Sequence, residues 1–373
     1  MRPMRALPML EPRRRVLEKC VFCPKLCRSS CPVSNAEPRE TITPWGKMSL
    51  AWMAAHGDVP VDASHAAPAW ACTGCFACRE WCDHRNPVAD VLADARDALA
   101  RRGAAPRGAV RVLARFAAHE EETRKASQRL AGHPRVRSDA SDALLIGCGY
   151  LRGAEREARD AIEATAALSG GPVALVGGCC GLPLRLAGDA RAFQQHARRL
   201  ARSLERHARV FVVDAGCGLA LKRRYPEAGV DFAPPVELLV ETASRALAAL
   251  SPASASEDGP VRWHDPCQLG RGLGIYEAPR AVLTRALGRP PDELDERREK
   301  AVCSGAGGLL PSTMPDVARA IADARLASHA RSGGGRIVTA CASSLIALRK
   351  RAVGSGVAVD DLVSWIARAA ARP

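Results

Sequence analysis

No uninterrupted apolar segment of this 373-residue chain approaches the ~18 residues that a membrane span needs. The N-terminal run MRPMRALPMLEPRRR has basic residues but no apolar stretch of signal-peptide length. The sequence therefore reads as soluble and cytoplasmic, reaching the inner face of a membrane only through a partner. Aromatic residues make up 4% of the chain, which leaves few platforms for base stacking. No GxGxxG with a distal acid and no GxxxxGKS/T is present. GAGG at Gly305–Gly308 is too short for a dinucleotide fingerprint, and SGGGRIV at Ser332–Val338 precedes a strand instead of opening a helix. These absences argue against flavin or nicotinamide binding here, so any hydride chemistry must belong to another chain.

Cysteine, by contrast, is abundant. Eight of the fifteen lie between Cys20 and Cys82 in two groups: Cys20, Cys23, Cys27 and Cys31, then Cys72, Cys75, Cys78 and Cys82. The second group, CTGCFACREWC, has the CxxCxxCxxxC spacing by which bacterial ferredoxins wrap a 4Fe-4S cluster, and the first, CVFCPKLCRSSCP, has one extra residue between its second and third cysteines. Three closely spaced thiolates reach three corners of one iron cube, and the fourth is carried on to the other. The expected ligation is therefore crossed. Cys20, Cys23, Cys27 and Cys82 would hold one cluster, and Cys72, Cys75, Cys78 and Cys31 the other. Structural zinc usually takes two CxxC pairs about 15 to 20 residues apart, a layout neither group has. Disulfides would need an oxidising compartment.

The formal charge of +14 and a pI near 9.4 raise nucleic acid as a partner. The basic residues are scattered along Ala/Arg-rich helices, however, and two cubane clusters with their thiolates, each at about −2, would bring the holoprotein to roughly +10. A basic face suits an acidic redox partner, an anionic cofactor or a membrane surface at least as well. Between the two cysteine groups, Thr43 and Pro44 read as a helix start and Gly57 as its end. PVADVLADARDALARRG is a packing helix ending near Gly103, and a second helix from about Gly108 to Leu130 makes the connection.

From about Ser141 short β-branched runs alternate with helices, the pattern of a parallel α/β sheet. Each run ends in cysteine. DALLIG leads to Cys148, PVALVGG to Cys179 and Cys180, and RVFVVDAG to Cys217. After the Ser/Pro/Ala-rich SPASASEDGP the order repeats, with VRWHDP leading to Cys267, KAV to Cys303 and RIVTA to Cys341. Cys148 to Cys179 is 31 positions and Cys180 to Cys217 is 37, while Cys267 to Cys303 is 36 and Ser304 to Cys341 is 37. Two copies of one unit, related by duplication, explain this spacing. In open α/β sheets the crevice beyond the carboxyl ends of the strands binds ligands, and the cysteines fall there. The His264–Asp265 pair, beside Pro266 at a strand end, reads as orienting the Cys267 loop rather than as an acid-base pair.

The helical insert between the cysteine groups resembles the α-helical dicluster ferredoxin of the iron-sulfur subunits of fumarate reductase and heterodisulfide reductase. Trp45, Gly46 and Lys47 match only in part its short Arg-Gly-Lys-like element. With GGCCGLPL, AVCSGAGGLLP, HDPCQLGRG, EAPRAVL and VDAGCGLALKRRY, nearly the whole chain resembles the cysteine-rich, CCG-domain family. That family includes heterodisulfide reductase and the iron-sulfur subunits of glycolate oxidase and anaerobic glycerol-3-phosphate dehydrogenase. The resemblance implies an α-helical ferredoxin domain at 16–103, a helical connector at 104–140, a first cysteine-rich repeat at 141–250, a linker at 251–259 and a second, degenerate repeat at 260–373. The family pattern of one cysteine, a CC pair and a terminal CxxC binds a noncubane 4Fe-4S cluster in heterodisulfide reductase, and this chain departs from it twice. Asp214 replaces one cysteine of the first CxxC, leaving Cys148, Cys179, Cys180 and Cys217 for a third cluster or a metal. In the second copy CS and CASS leave Cys267, Cys303 and Cys341, enough only with an outside ligand.

The function implied is that of a non-catalytic, iron-sulfur electron-transfer subunit of an oxidoreductase. It would relay electrons between a flavoprotein dehydrogenase or electron-transferring flavoprotein and a quinone, a disulfide or another protein. Two other readings are direct disulfide or thiol reduction at the first repeat, and a zinc-stabilised nucleic-acid-binding or scaffold protein. Donor, acceptor, direction and cluster potentials are not written in the sequence.

Overall fold

A computed structural model describes residues 3–25, 27–252 and 259–370, so the middle of the linker, 253–258, lies outside the described residues. The chain folds into two compact units. One gathers the residues up to Phe116 with Pro183–Phe193 and Glu299–Arg325; the other gathers Ala117–Leu182, Gln194–Arg298 and the chain from Leu326 onward.

The first unit is helical. Its longest insert helix, Pro44–His56, starts and stops where capping chemistry dictates. The Thr43 hydroxyl accepts the Gly46 N–H at 3.0 Å, Pro44 occupies the first turn, and Gly57 closes the helix at φ +80°. Gly46 is required for another reason: a Cβ there would lie 2.1 Å from the Glu40 carbonyl oxygen. The helix Val88–Ala100 buries Val91, Leu92 and Leu99 against Met48, Trp70 and the N-terminal Leu7, Leu10 and Leu17. Each of those large side chains contributes about 2 kcal/mol by leaving water. A second cluster joins Cys31, Val33 and Ile42 to Leu310, Val317 and Ile321, which come from Glu299–Arg325. The connection expected as one helix is two, Arg107–Ala114 and Phe116–Arg129. The break at Arg115 falls where the chain passes from one unit to the other.

The second unit holds two parallel sheets of four strands. β1 (Asp142–Leu145), β2 (Ala174–Leu175), β3 (Arg209–Val212) and β4 (Val236–Leu238) are ordered β2-β1-β3-β4. β5 (Val261–Trp263), β6 (Asp292–Glu293), β7 (Arg336–Thr339) and β8 (Val359–Asp361) are ordered β6-β5-β7-β8, the same topology again. Leu144 pairs with Phe211, and Trp263 with Val338, at equivalent central positions. The duplication read from the cysteine spacing is thus a duplication of fold. In each sheet the strand order reverses between the two central strands, which sets the ligand crevice beyond their carboxyl ends. Cys148 and Cys217 follow β1 and β3 there, as Cys267 and Cys341 follow β5 and β7.

The two sheets are tied by buried polar bonds. The Tyr150 hydroxyl donates to Asp361 Oδ2 at 2.7 Å, and Arg349 donates to Glu157 at 2.7 Å. Burial raises the Asp361 carboxyl from 3.8 to about 7, against the lowering pull of the Val363 N–H and Tyr150. Folded Asp361 therefore keeps its proton up to about pH 7 where an unfolded aspartate has lost it, and stability falls as pH rises through that window. In Asp361→Asn this loss is absent. The melting temperature of the variant minus that of the wild type, taken anaerobically, should grow between about pH 4 and about pH 7 and level off above; a pH-independent difference would exclude the ionisation as its source.

Candidate metal centres

The first thiol group is assembled from three segments. Cys20 ends the helix Arg14–Val21, Cys23 and Cys27 lie on the following turns, and Cys82 arrives after the short helix Ala77–Glu80. All four are partly exposed. Burial raises the Cys20 thiol to about 11, opposed by an amide bond from Asn86 and reinforced by Cys82 and Cys23. Burial likewise raises Cys27 to about 12, with Cys20, Cys82 and Cys23 adding. Electrostatic reach of this kind requires proximity, so Cys82 stands with Cys20, Cys23 and Cys27. Asn86 Nδ2 donates to Cys20 Sγ at 2.9 Å and to the Val16 carbonyl at 3.0 Å, fixing the sulfur's position.

The second group is deeper, with Cys31 and Cys75 buried. The CTGCFAC loop takes left-handed backbone at Gly74 (φ +66°) and at Phe76 (φ +60°), and the Gly74 N–H donates to Cys72 Sγ at 3.4 Å. Burial raises Cys78 well above the ordinary thiol range, and Cys72, Cys75, Cys31 and Cys27 act in the same sense. Cys31 thus stands with the second group, and Cys27 links the two groups in space. Burial also raises Cys72, though Lys47 and Arg96 oppose it.

The buried charge of these two residues is what reading the sequence missed. Lys47 is 2% exposed and its Nζ lies 3.4 Å from Cys31 Sγ. Burial works against its charge, but Cys31, Cys72 and Cys78 outweigh burial and raise its pKa. Arg96, also 2% exposed, donates to the carbonyls of Ala69 (2.9 Å), Cys72 (2.9 Å), Leu186 (3.1 Å) and Gly308 (3.2 Å). Among the described residues neither cation has a carboxylate within ion-pair distance. A buried, unpaired charge is costly, and the groups at hand to balance it are thiolates. The site therefore fits an anionic cluster. Of the tryptophans, Trp70 is fully buried in the core while Trp81 is 47% exposed beside Cys82.

In the first α/β repeat the sulfurs of Cys148 and Cys179 are 3.7 Å apart. Glu120 accepts the Cys179 N–H at 3.0 Å, His196 Nε2 lies 2.7 Å from the Cys179 carbonyl oxygen, and the Tyr225 hydroxyl donates to the Cys180 carbonyl at 3.0 Å. The CC pair is thereby held from both sides. His119, Cys148 and Cys179 each present a ligand atom within 4.8 Å of the other two. Cys179 hydrogen-bonds to Cys148, which is drawn down to about 6 despite burial, with His119 helping. Cys180 is lowered by bonds from Cys179 and Cys217, which are themselves raised. Cys217 thus joins the same chain of sulfurs. Asp214, at the place of the missing cysteine, has another job: Oδ1 accepts from Gly216 N at 2.8 Å and Cys217 N at 3.3 Å, and Oδ2 accepts from Ala342 N at 3.0 Å.

The second repeat is arranged differently. Burial lifts Cys341 to about 12, and Cys267 opens the turn Gln268–Gly272 in the same unit. Cys303 folds with the other unit, and its sulfur accepts the Gly305 N–H at 3.4 Å. Asp265 is committed to structure. Against the cost of burial, paired bonds from Arg280 at 2.8 Å hold its carboxyl below the usual range, and it also accepts from Trp263 Nε1 and the Arg298 N–H.

Comparison with known proteins agrees with this architecture. Residues 16–86 match the 4Fe-4S dicluster domain, and residues 143–222 and 261–349 match the cysteine-rich domain. The chain is an iron-sulfur protein. It belongs to the family in which a 4Fe-4S dicluster domain precedes a pair of cysteine-rich domains. Over 323 residues it is 26% identical to one subunit of the dihydromethanophenazine:CoB–CoM heterodisulfide reductase of Methanosarcina barkeri, covering 80% of this chain and 77% of that one. Over 350 residues it is 27% identical to one subunit of the fumarate reductase (CoM/CoB) of Methanothermobacter marburgensis, covering 87% of this chain and 66% of that one. A shorter match, 31% over 134 residues, covers 35% of this chain and 18% of the EtfAB:quinone oxidoreductase of Syntrophomonas wolfei. No helix among the described residues is long and apolar enough to cross a membrane.

Cys82→Ala tests the crossed arrangement. It should abolish the paramagnetic resonance signal of the centre on Cys20, Cys23 and Cys27 and remove about half of the dicluster iron, leaving the other signal in place. Loss of the Cys72-group signal instead would mean that each group ligates its own cluster.

Proposed function

We propose that this chain is the electron-transfer subunit of a multi-subunit oxidoreductase, relaying electrons between a flavoprotein and a quinone, disulfide or protein acceptor. The observation that carries the reading is the pairing of thiols across the sequence, Cys82 with the first group and Cys31 with the second, with Cys27 near Cys78. Two 4Fe-4S clusters held by these residues would each exchange one electron at a time. The protein's part is to fix, shield and bias them. Asn86 and Gly74 orient sulfurs, and the core around Trp70 and Leu92 excludes water from one side.

A third centre belongs at Cys148, Cys179, Cys180 and Cys217, as an iron-sulfur cluster or a single metal. Two thiolates on one tetrahedral metal atom with bonds of about 2.3 Å have sulfurs about 3.8 Å apart, and Cys148 and Cys179 already stand 3.7 Å apart. His119, on the connector helix Phe116–Arg129, adds a nitrogen ligand. Cys267, Cys303 and Cys341 serve packing in the degenerate copy, where the Asp265–Arg280 pair holds the loop. The relatives named above as reductase subunits, and one as an EtfAB:quinone oxidoreductase, support an electron-transferring flavoprotein as donor and a quinone or disulfide as the distant acceptor.

Anaerobic purification followed by iron, sulfide and zinc analysis should give about eight or more irons with matching sulfide, and a reduced electron-transferring flavoprotein should bleach the protein's visible absorbance. Zinc without labile sulfide would overturn the relay. His119→Ala should remove nitrogen hyperfine coupling from the third centre, or its metal, while both cubane signals stay; an unchanged third centre would exclude His119 as a ligand.

A further inference from the structure

Reduction adds one negative charge to an iron-sulfur centre, and the centre's potential follows how well its surroundings stabilise that charge. The two thiol groups sit in different fields. Of the cations that adjoin Cys20, Cys23, Cys27 and Cys82, Lys25 and Arg28 pair with Glu40 at 3.2 and 2.6 Å and Arg79 and Arg85 with Glu80 at 2.7 and 2.9 Å, while Lys300 lies 5.7 Å from the ring of Trp81. The Glu40 pairs are exposed, hydrated and screened, and Glu80, 7% exposed, sets a negative charge against its two arginines. The donor that reaches Cys20 Sγ is the neutral amide of Asn86.

Around Cys31, Cys72, Cys75 and Cys78 the field is set by two full positive charges out of water. Lys47 touches Cys31 Sγ, and Cys72 and Cys78 are its other anionic neighbours. Arg96 spends its guanidinium on four carbonyl oxygens, Cys72 O among them, and the charge that acts on it is that of Cys72. Hydrogen bonds to carbonyls satisfy the donors without cancelling the charge. Deeper burial of this group by itself disfavours added negative charge, but burial also removes the water that would screen Lys47 and Arg96.

Resting on the dicluster relay proposed above, we infer that Lys47 and Arg96 are fixed counter-charges that set the Cys31/Cys72/Cys75/Cys78 centre at a higher potential than the Cys20/Cys23/Cys27/Cys82 centre. This gives the relay a direction inside the subunit. One electron would pass from a centre on Cys20, Cys23, Cys27 and Cys82, oxidising it, to a centre on Cys31, Cys72, Cys75 and Cys78, reducing it. Lys47 and Arg96 bias the transfer without touching a substrate, and they are positioning residues.

The test is a redox titration of the full-length, anaerobically purified protein followed by paramagnetic resonance, with signals assigned through Cys82→Ala. In the wild type the Cys31-group signal should appear first as the potential is lowered. Lys47→Met should move that signal to lower potential and leave the other in place, and Lys47→Arg should keep the wild-type order. If Lys47→Met loses the second cluster while Lys47→Arg retains it, the requirement for charge stands. Loss of the cluster in both variants would assign Lys47 a role of shape alone and overturn the inference, as would an unshifted potential in Lys47→Met or a wild type in which the Cys20-group signal appears first. A protein without iron and sulfide would instead defeat the relay itself, a separate outcome.

Discussion

The interaction on which most of the first unit depends is a buried guanidinium. Arg96 draws together the carbonyl of Cys72, which begins the CTGC loop, that of Ala69 before it, that of Leu186 just after the first repeat's CC pair, and that of Gly308 beyond the second repeat's CS. Four backbone acceptors from three distant stretches meet on one planar donor, which no flexible ammonium could match in geometry. The approach is close enough to dictate sequence nearby: a Cβ on Gly308 would lie 2.0 Å from the Cys72 carbonyl oxygen. GAGG is therefore a packing surface for a cysteine loop. Asp97, one residue along the same helix, accepts the Ala190 N–H at 2.9 Å and adds a second tie to the segment after the CC pair.

What could be read from the sequence was what is local. Thiol spacing is legible because three ligands on a tight turn need only a few residues, and the Thr43-Pro44 start and Gly57 stop are legible because capping is decided within one turn. The doubled α/β topology was legible by counting from cysteine to cysteine. Contacts at long range were not. Arg96 sits in DARDALARR among other arginines, and nothing in its neighbours marks it as the one turned inward. Lys47 was noticed only as a partial motif match. His119 and Glu120 lie on the connector helix, and only the fold brings them to the Cys179 loop. Nor does the helical pattern from Gly108 to Leu130 betray the break at Arg115, since both halves keep helix-forming residues.

The departures from the cysteine pattern prove to be substitutions with their own chemistry. Asp214 caps the helix Ala215–Leu219 and reaches Ala342 of the other repeat, a bond that a thiol would make poorly because sulfur is a weak acceptor. In the second repeat Asp265 gathers Trp263, Arg280 and the Arg298 N–H, and Arg280 continues to Glu293 at 2.6 Å. A closed network of charge and hydrogen bonds can stiffen a loop in place of bound metal.

The dispersal of the first unit along the sequence bears on how the protein matures. Leu310, Val317 and Ile321 pack with Cys31 and Ile42, and Gly308 lies against Cys72, although some 240 to 290 positions separate these residues in the chain. A nascent chain folds from its N-terminus as it leaves the ribosome, so Cys31 and Cys72 emerge long before the residues that pack on them from Gly308 to Ile321. Until translation has passed Ile321 the packing of Leu310, Val317 and Ile321 on Cys31 cannot form. Iron and sulfide loaded in that interval would reach Cys31, which the finished fold buries, without any opening of that fold.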